Sequence, residues 1–170
     1  MSVFKWCRRK TFFVLVMASS VIFTQPNPSQ AQSMVVVKGI YGESISINTN
    51  SVKAGSTVIV QGTRFDESVG IYLAYCVLPL KGKTPTPCGG GVNKTGIGDA
   101  SYWISSNPPP YGKGLAIPFQ PGGRFREKVL VSRKIGTFDC AKVKCAITVR
   151  ADHLLSEDRS HDIFIPITIR

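Results

Sequence analysis

Three observations in this 170-residue chain predict an all-β domain. Apolar residues recur at period two in run after run, which is the spacing that gives a strand one buried and one wet face. The runs are separated by Gly, Pro, Asn and Asp clusters, the residues that turn a chain between strands. No window carries three turns of helical periodicity, a heptad or an internal repeat. The stretch 138–169 shows all of this together: Cys140 and Cys145 sit five apart, Cys145-Ala-Ile-Thr-Val-Arg alternates, a charged excursion follows, and Asp162-Ile-Phe-Ile-Pro-Ile-Thr-Ile alternates again. This reads as a stapled hairpin feeding two neighbouring strands.

Residues 1–31 read as a secretory signal peptide. Lys5, Arg8, Arg9 and Lys10 form the basic segment, Thr11 to Phe23 is apolar, and Ser29-Gln30-Ala31 fits a cleavage site between small residues. The apolar run is too short for a comfortable span of about 20 residues. Retention of the segment as an anchor is the rival reading. The expected mature chain is a single domain, 32–170, which is long enough to bury about two thirds of its unfolded surface.

Cys7 leaves with the leader, so four cysteines remain in a small exported domain and imply two disulfides. Three connectivities are possible, of which the local pairs are the simplest. Metal binding is the alternative, but neither spacing is the C-x-x-C of zinc sites. The net charge of +11 falls to +7 without the leader, 17 Lys and Arg against 10 Asp and Glu. Such a surface favours acidic partners, a cell-envelope polymer or protein among them. The charges are scattered, without the dense basic run of a nucleic-acid arm, and no specific nucleic-acid motif stands out.

In order along the chain, Met34-Val-Val-Val and Ser44-Ile-Ser-Ile-Asn are the first strands. Lys53-Ala-Gly turns into a strand at Ser56-Thr-Val-Ile-Val-Gln, and Gly62 to Ser68 turns again around Phe65. Gly70-Ile-Tyr-Leu-Ala-Tyr-Cys-Val-Leu is apolar or aromatic on both faces and is expected to be central. Residues 79–123 read as long Pro/Gly-rich loops, with Cys88, Tyr102-Trp103-Ile104 and three prolines at 108–110. Arg124-Phe-Arg-Glu-Lys-Val-Leu-Val is the next strand, leading into the cysteine hairpin.

Together these pieces resemble the neocarzinostatin family of secreted actinobacterial proteins. The residues that carry the resemblance are Ala54-Gly-Ser-Thr-Val-Ile-Val-Gln-Gly, Gly70 to Cys76, Cys88, Asp139-Cys-Ala-Lys-Val-Lys-Cys-Ala and Asp162-Ile-Phe-Ile-Pro-Ile. The resemblance implies an immunoglobulin-like, seven-stranded antiparallel β-sandwich with two local disulfides, Cys76–Cys88 and Cys140–Cys145. In its best-known members a cleft beside the first disulfide holds an enediyne chromophore that cleaves DNA, which would bring antimicrobial and DNA-directed action. This chain departs from them. Val77-Leu78 stand where the chromophore binder has an aromatic, the Phe-rich loop is shortened to Lys134-Ile-Gly-Thr-Phe, and the chain is basic rather than acidic. A secreted relative is expected, not an enediyne carrier.

The expected function is non-enzymatic binding by a secreted monomer, with no cofactor and no resident metal. A small apolar or aromatic ligand would sit beside the first disulfide, among Tyr75, Tyr102, Trp103, Tyr111 and Phe138; Phe119 is a further nearby aromatic. The alternative is a cell-envelope or protein-interaction module using the same loops and the basic surface. His153 and His161, with Ser156 and Ser160, lack a nucleophile elbow for hydrolysis. Asp152, His153, Glu157, Asp158, His161 and Asp162 carry metal-ligating groups, but their spacing matches no calcium loop, and the expectation is a solvated hairpin in which Asp152 or Asp158 pairs with Arg150 or Arg159.

Overall fold

The structure is a computed structural model that describes Met1, residues 34–91 and residues 101–170. The chain divides after Ala31, and Gln32–Arg170 form one compact unit. Beyond Met1, the leader reading at 1–31 lies outside the described residues.

That unit is built of strands packed in two layers. One sheet contains β1 (Val35–Lys38), β2 (Ser44–Ile47), β4 (Ser56–Thr63) and β8 (Phe125–Val131), in the order β1-β2-β4-β8. The other runs β3 (Ser51–Val52), β12 (Ile163–Ile169), β11 (Cys145–Ala151), β5 (Ile71–Val77) and β6 (Cys88–Gly89). A further strand, β7 (Tyr102–Ile104), also pairs with β5. The hairpin β9 (Lys134–Ile135) and β10 (Phe138–Asp139) stands apart. Among the described residues all strand pairs are antiparallel except β3 with β12. Counting only strands of four residues or more, the first, second, third and fifth (β1, β2, β4, β8) form one sheet and the fourth, sixth and seventh (β5, β11, β12) lie adjacent in the other, which is immunoglobulin-like connectivity. Among the described residues, seven strands are four residues or longer.

Period-two alternation explains the core. Ile45 and Ile47 of β2, Val58 and Val60 of β4 and Val129 and Val131 of β8 face Leu73 and Tyr75 of β5, Ile147 and Val149 of β11 and Ile163 and Ile165 of β12. Pro166 is tolerated in β12 because β3 pairs only at Thr168 and Ile169, which leaves Pro166 on an open stretch of edge. Both disulfides are local, Cys76–Cys88 with Cα atoms 4.0 Å apart and Cys140–Cys145 at 5.5 Å. The first joins directly opposed residues of β5 and β6.

The region expected to be loops differs in one respect. Both β6 and β7 lie within 79–123, on the edge of β5 that β11 leaves free. An uncovered central-strand edge carries unpaired N–H and C=O groups, and two short segments with no helical alternative satisfy them. The same region ties the layers together, as Leu130 N–H donates to Gly90 O at 2.9 Å and the Tyr102 hydroxyl to Lys128 O at 2.7 Å.

Candidate functional site

Successive residues of β5 point to opposite faces of its sheet. Ile71, Leu73 and Tyr75 enter the core, while Tyr72, Ala74 and Cys76 face outward. On that outer face Tyr72 lies opposite Trp103 of β7 and Arg150 of β11, whose guanidinium carbon sits 5.0 Å from the centre of the Tyr72 ring. Immediately after β11 the chain passes Asp152 and His153, and His153 lies 4.9 Å from the Trp103 ring, edge to face. The residues after Pro108 to Pro110 bring Tyr111 alongside, its ring tilted by 27° from that of Trp103 at 6.4 Å. The result is a shelf of four rings: Tyr72, Trp103, Tyr111 and His153.

Polar contacts fix the shelf. The Tyr72 hydroxyl is 2.6 Å from His153 Nδ1 and the Tyr111 hydroxyl 2.8 Å from Nε2. A neutral imidazole has one donor and one acceptor nitrogen, so one phenol donates to the ring and the other accepts from it. Burial, reinforced by the nearby Asp152 charge, raises the Tyr72 phenol above its ordinary value and keeps it protonated. Beneath lies Asp152, only 1% exposed. Its Oδ2 accepts from Trp103 Nε1 at 2.9 Å and its Oδ1 from Leu154 N–H at 2.9 Å. Gly70 makes room for this carboxylate, since a Cβ there would stand 2.1 Å from Oδ2.

The site expected from the sequence is only partly assembled. Trp103 and Tyr111 come together. Tyr102 does not join them, because it neighbours Trp103 along a strand and so faces the core side, its hydroxyl spent on Lys128 O. Tyr75 is a correction too: it is 0% exposed and belongs to the core, where burial pushes its phenol up to about 12. Phe138 is 42% exposed on β10 and makes no ring contact with the shelf among the described residues. Nor does the shelf lie beside the first disulfide. Trp103 pairs with Tyr72 and Cys88 with Cys76, four residues apart along β5, or about 13 Å. Phe119 stacks on Phe65 inside the core.

The charged excursion 152–162 is divided among local partners. Asp158 accepts from Ser160 and lies 3.6 Å from His161, and Arg159 pairs with Asp162 at 3.3 Å. With both His153 nitrogens engaged by phenols, that ring is not poised to activate a serine. Among the described residues no three His, Cys, Asp or Glu side chains converge to hold a metal, and no helix is long and apolar enough to cross a membrane. Tyr72, Arg150, Asp152 and His153 are the shelf residues that the expected ligand site did not include. For Tyr72 and Arg150 the signal was parity, an aromatic and an arginine on the outward positions of two adjoining strands.

No protein-family model and no curated protein matches the chain. Among solved structures it is similar to macromomycin. The TM-score is 0.47 at 13% identity, over 76% of this chain and 100% of that one. A likeness this loose fixes no residue correspondence, and the role of the shelf rests on its own geometry.

Proposed function

We propose that the chain is an exported, non-enzymatic binding protein that takes a small apolar or aromatic ligand on the ring shelf. One observation carries this reading. Trp103 and Tyr111 present rings 6.4 Å apart and tilted by 27°, with Tyr111 62% exposed, and they are anchored through buried Asp152 and His153 respectively. Rigid aromatic surface with its polar atoms already satisfied is suited to stacking a planar ligand, because little side-chain entropy is lost on binding. Export agrees with the two disulfides, which persist in oxidising compartments. The seat of the ligand is thereby shifted from the first disulfide to the opposite end of β5.

A second reading has its own observation. Lys38 of β1 and Arg126 and Lys128 of β8 are exposed on alternate positions of the first sheet, a basic face suited to an acidic cell-envelope or protein partner. Native mass spectrometry of the protein purified from its own culture medium separates the two. An adduct that is lost on denaturation and is absent from Tyr111→Ala supports the shelf. Adduct-free protein, retained on an acidic polysaccharide column unless Arg126 and Lys128 are changed to Glu, moves the function to the basic face.

A further inference from the structure

The same end of the sandwich holds a pocket of about 420 Å³, on the core side of β5 rather than on the shelf side. Its walls come from the turn between β1 and β2, the loop between β4 and β5, and the residue before Asp162. Tyr41, Phe65 and His161 supply rings, while Val69 and Ile71 supply the apolar floor. Glu43 stands in the wall, 3% exposed, and neither of its carboxylate oxygens has a hydrogen-bond partner.

An unpartnered buried carboxylate is costly, and folded chains rarely keep one without a use. The local sequence is arranged to accommodate it. Gly39 has no side chain where the carboxylate lies, and a Cβ there would stand 2.1 Å from Glu43 Oε1. The opposite wall is also held in place. Arg64 adopts a left-handed backbone, φ 62°, a conformation unfavourable for a non-glycine residue. It is fastened there by its N–H to Gly122 O at 3.3 Å, with Phe65 N–H to Gly123 O at 3.1 Å.

The other charged groups that line the pocket are Asp66, His161 and Arg64. Asp66 Oδ1 is occupied by the N–H and hydroxyl of Ser68, His161 faces Asp158, and Arg64 is exposed at the rim. The Tyr41 ring lies 5.0 Å from His161 and its hydroxyl donates to Ser160 Oγ at 3.1 Å, closing one side. We infer that this pocket is a binding site for a small organic ammonium, whose cationic head pairs with Glu43 and whose apolar body lies on Phe65, Val69 and Ile71. Glu43 lines the pocket while its carboxylate lies towards Gly39, so pairing requires the side chain to rotate into the open space. The rings of Tyr41 and Phe65 add cation–π attraction. A metal ion finds too few ligands among the described residues. The inference is independent of the ring shelf, from which the β5 strand separates it.

The test uses benzylamine as the ammonium probe and benzyl alcohol as its uncharged analogue, with amide chemical shifts of the isotopically labelled protein as the readout. Benzylamine is expected to give saturable shifts centred on Glu43, Phe65, Val69 and His161, and benzyl alcohol to bind at least about tenfold more weakly. Glu43→Gln, which keeps shape and removes charge, is expected to weaken benzylamine by about tenfold or more. Val69→Phe fills the pocket, leaves the carboxylate in place and is expected to abolish binding, so the inference does not hang on how one variant folds. Absence of saturable shifts in the unaltered protein, equal binding of amine and alcohol, or undiminished binding by a folded Glu43→Gln overturns it.

Discussion

Asp152→Asn isolates the residue that holds the ring shelf together. The carboxylate accepts one hydrogen bond on each oxygen, from the Trp103 indole and from the Leu154 amide, both at 2.9 Å. An asparagine offers one oxygen and one NH2, so whichever way it turns a donor faces a donor. Gly70 packs against Oδ2 and the site is nearly sealed, which leaves the mismatched amide little room to move away. One charge-assisted hydrogen bond is lost, worth about 1.5–3 kcal/mol, and one buried donor is stranded; the expected loss of stability is about 3 kcal/mol. Urea unfolding followed by tryptophan fluorescence reads it directly. The sequence holds only Trp6 and Trp103, so a chain that starts at Gln32 reports from Trp103 alone. A loss under about 0.5 kcal/mol, the range of ordinary surface substitutions, together with unchanged Trp103 emission would refute the role assigned to Asp152.

Other consequences are as direct. Replacing Cys76 and Cys88 with Ser is expected to cost about 3 kcal/mol against about 2 for Cys140 and Cys145, because the first bridge closes the longer loop, 12 residues against 5; urea midpoints that reverse this order contradict the loop-entropy account. Gly62→Ala would place a Cβ 2.0 Å from Cε1 of Phe125 in the core, and overpacking there is expected to lower stability by about 1–3 kcal/mol, seen as a lower melting temperature. Burial raises the Asp162 carboxyl from 3.8 to about 6, against the pull of Arg159. Between those values the folded state binds the proton more readily than the unfolded one, so this group adds stability as pH falls from about 6 towards 4, and the full cost of its buried charge is present above 6. Asp162→Asn is therefore expected to gain about 1–2 kcal/mol at pH 7, after discounting for partial exposure, and nothing at pH 4. A gain that does not change with pH contradicts the assignment.

The strands were legible because a one-residue slip in a sandwich turns the whole apolar set to solvent, so period two is strictly kept in Ser44 to Ile47, Ser56 to Thr63 and Ile163 to Ile169. The local cysteine pairs were legible as the simplest connectivity and from family resemblance. The place of Trp103 was not. Whether Tyr102 to Ile104 adds to β5 near Tyr72 or near Cys76 depends on which stretch of a free strand edge each short segment reaches first, and nothing in the three residues themselves encodes that. Tyr75 illustrates the opposite case. It shares parity with Ile71 and Leu73, but with both faces of the strand apolar or aromatic the alternation alone did not say which set points inward. Glu43 was passed over because a glutamate just before an alternating strand is ordinarily a solvated one. Its carboxylate lies against Gly39, and the pocket beside it is completed by residues 64–71 and 161, far away in sequence.

Finally, β6 and β7 do more than complete a sheet. Exposed strand edges are where secreted β-proteins join to one another and form fibres. Here the free edge of β5 is covered at both ends, and the edge of β8 is met by the Gly90 carbonyl and the Tyr102 hydroxyl. Cutting or deleting the segment that carries β6 and β7 would therefore uncover two edges at once. Self-association through those edges would add to the stability lost with Cys88, Trp103 and the buried Ile104.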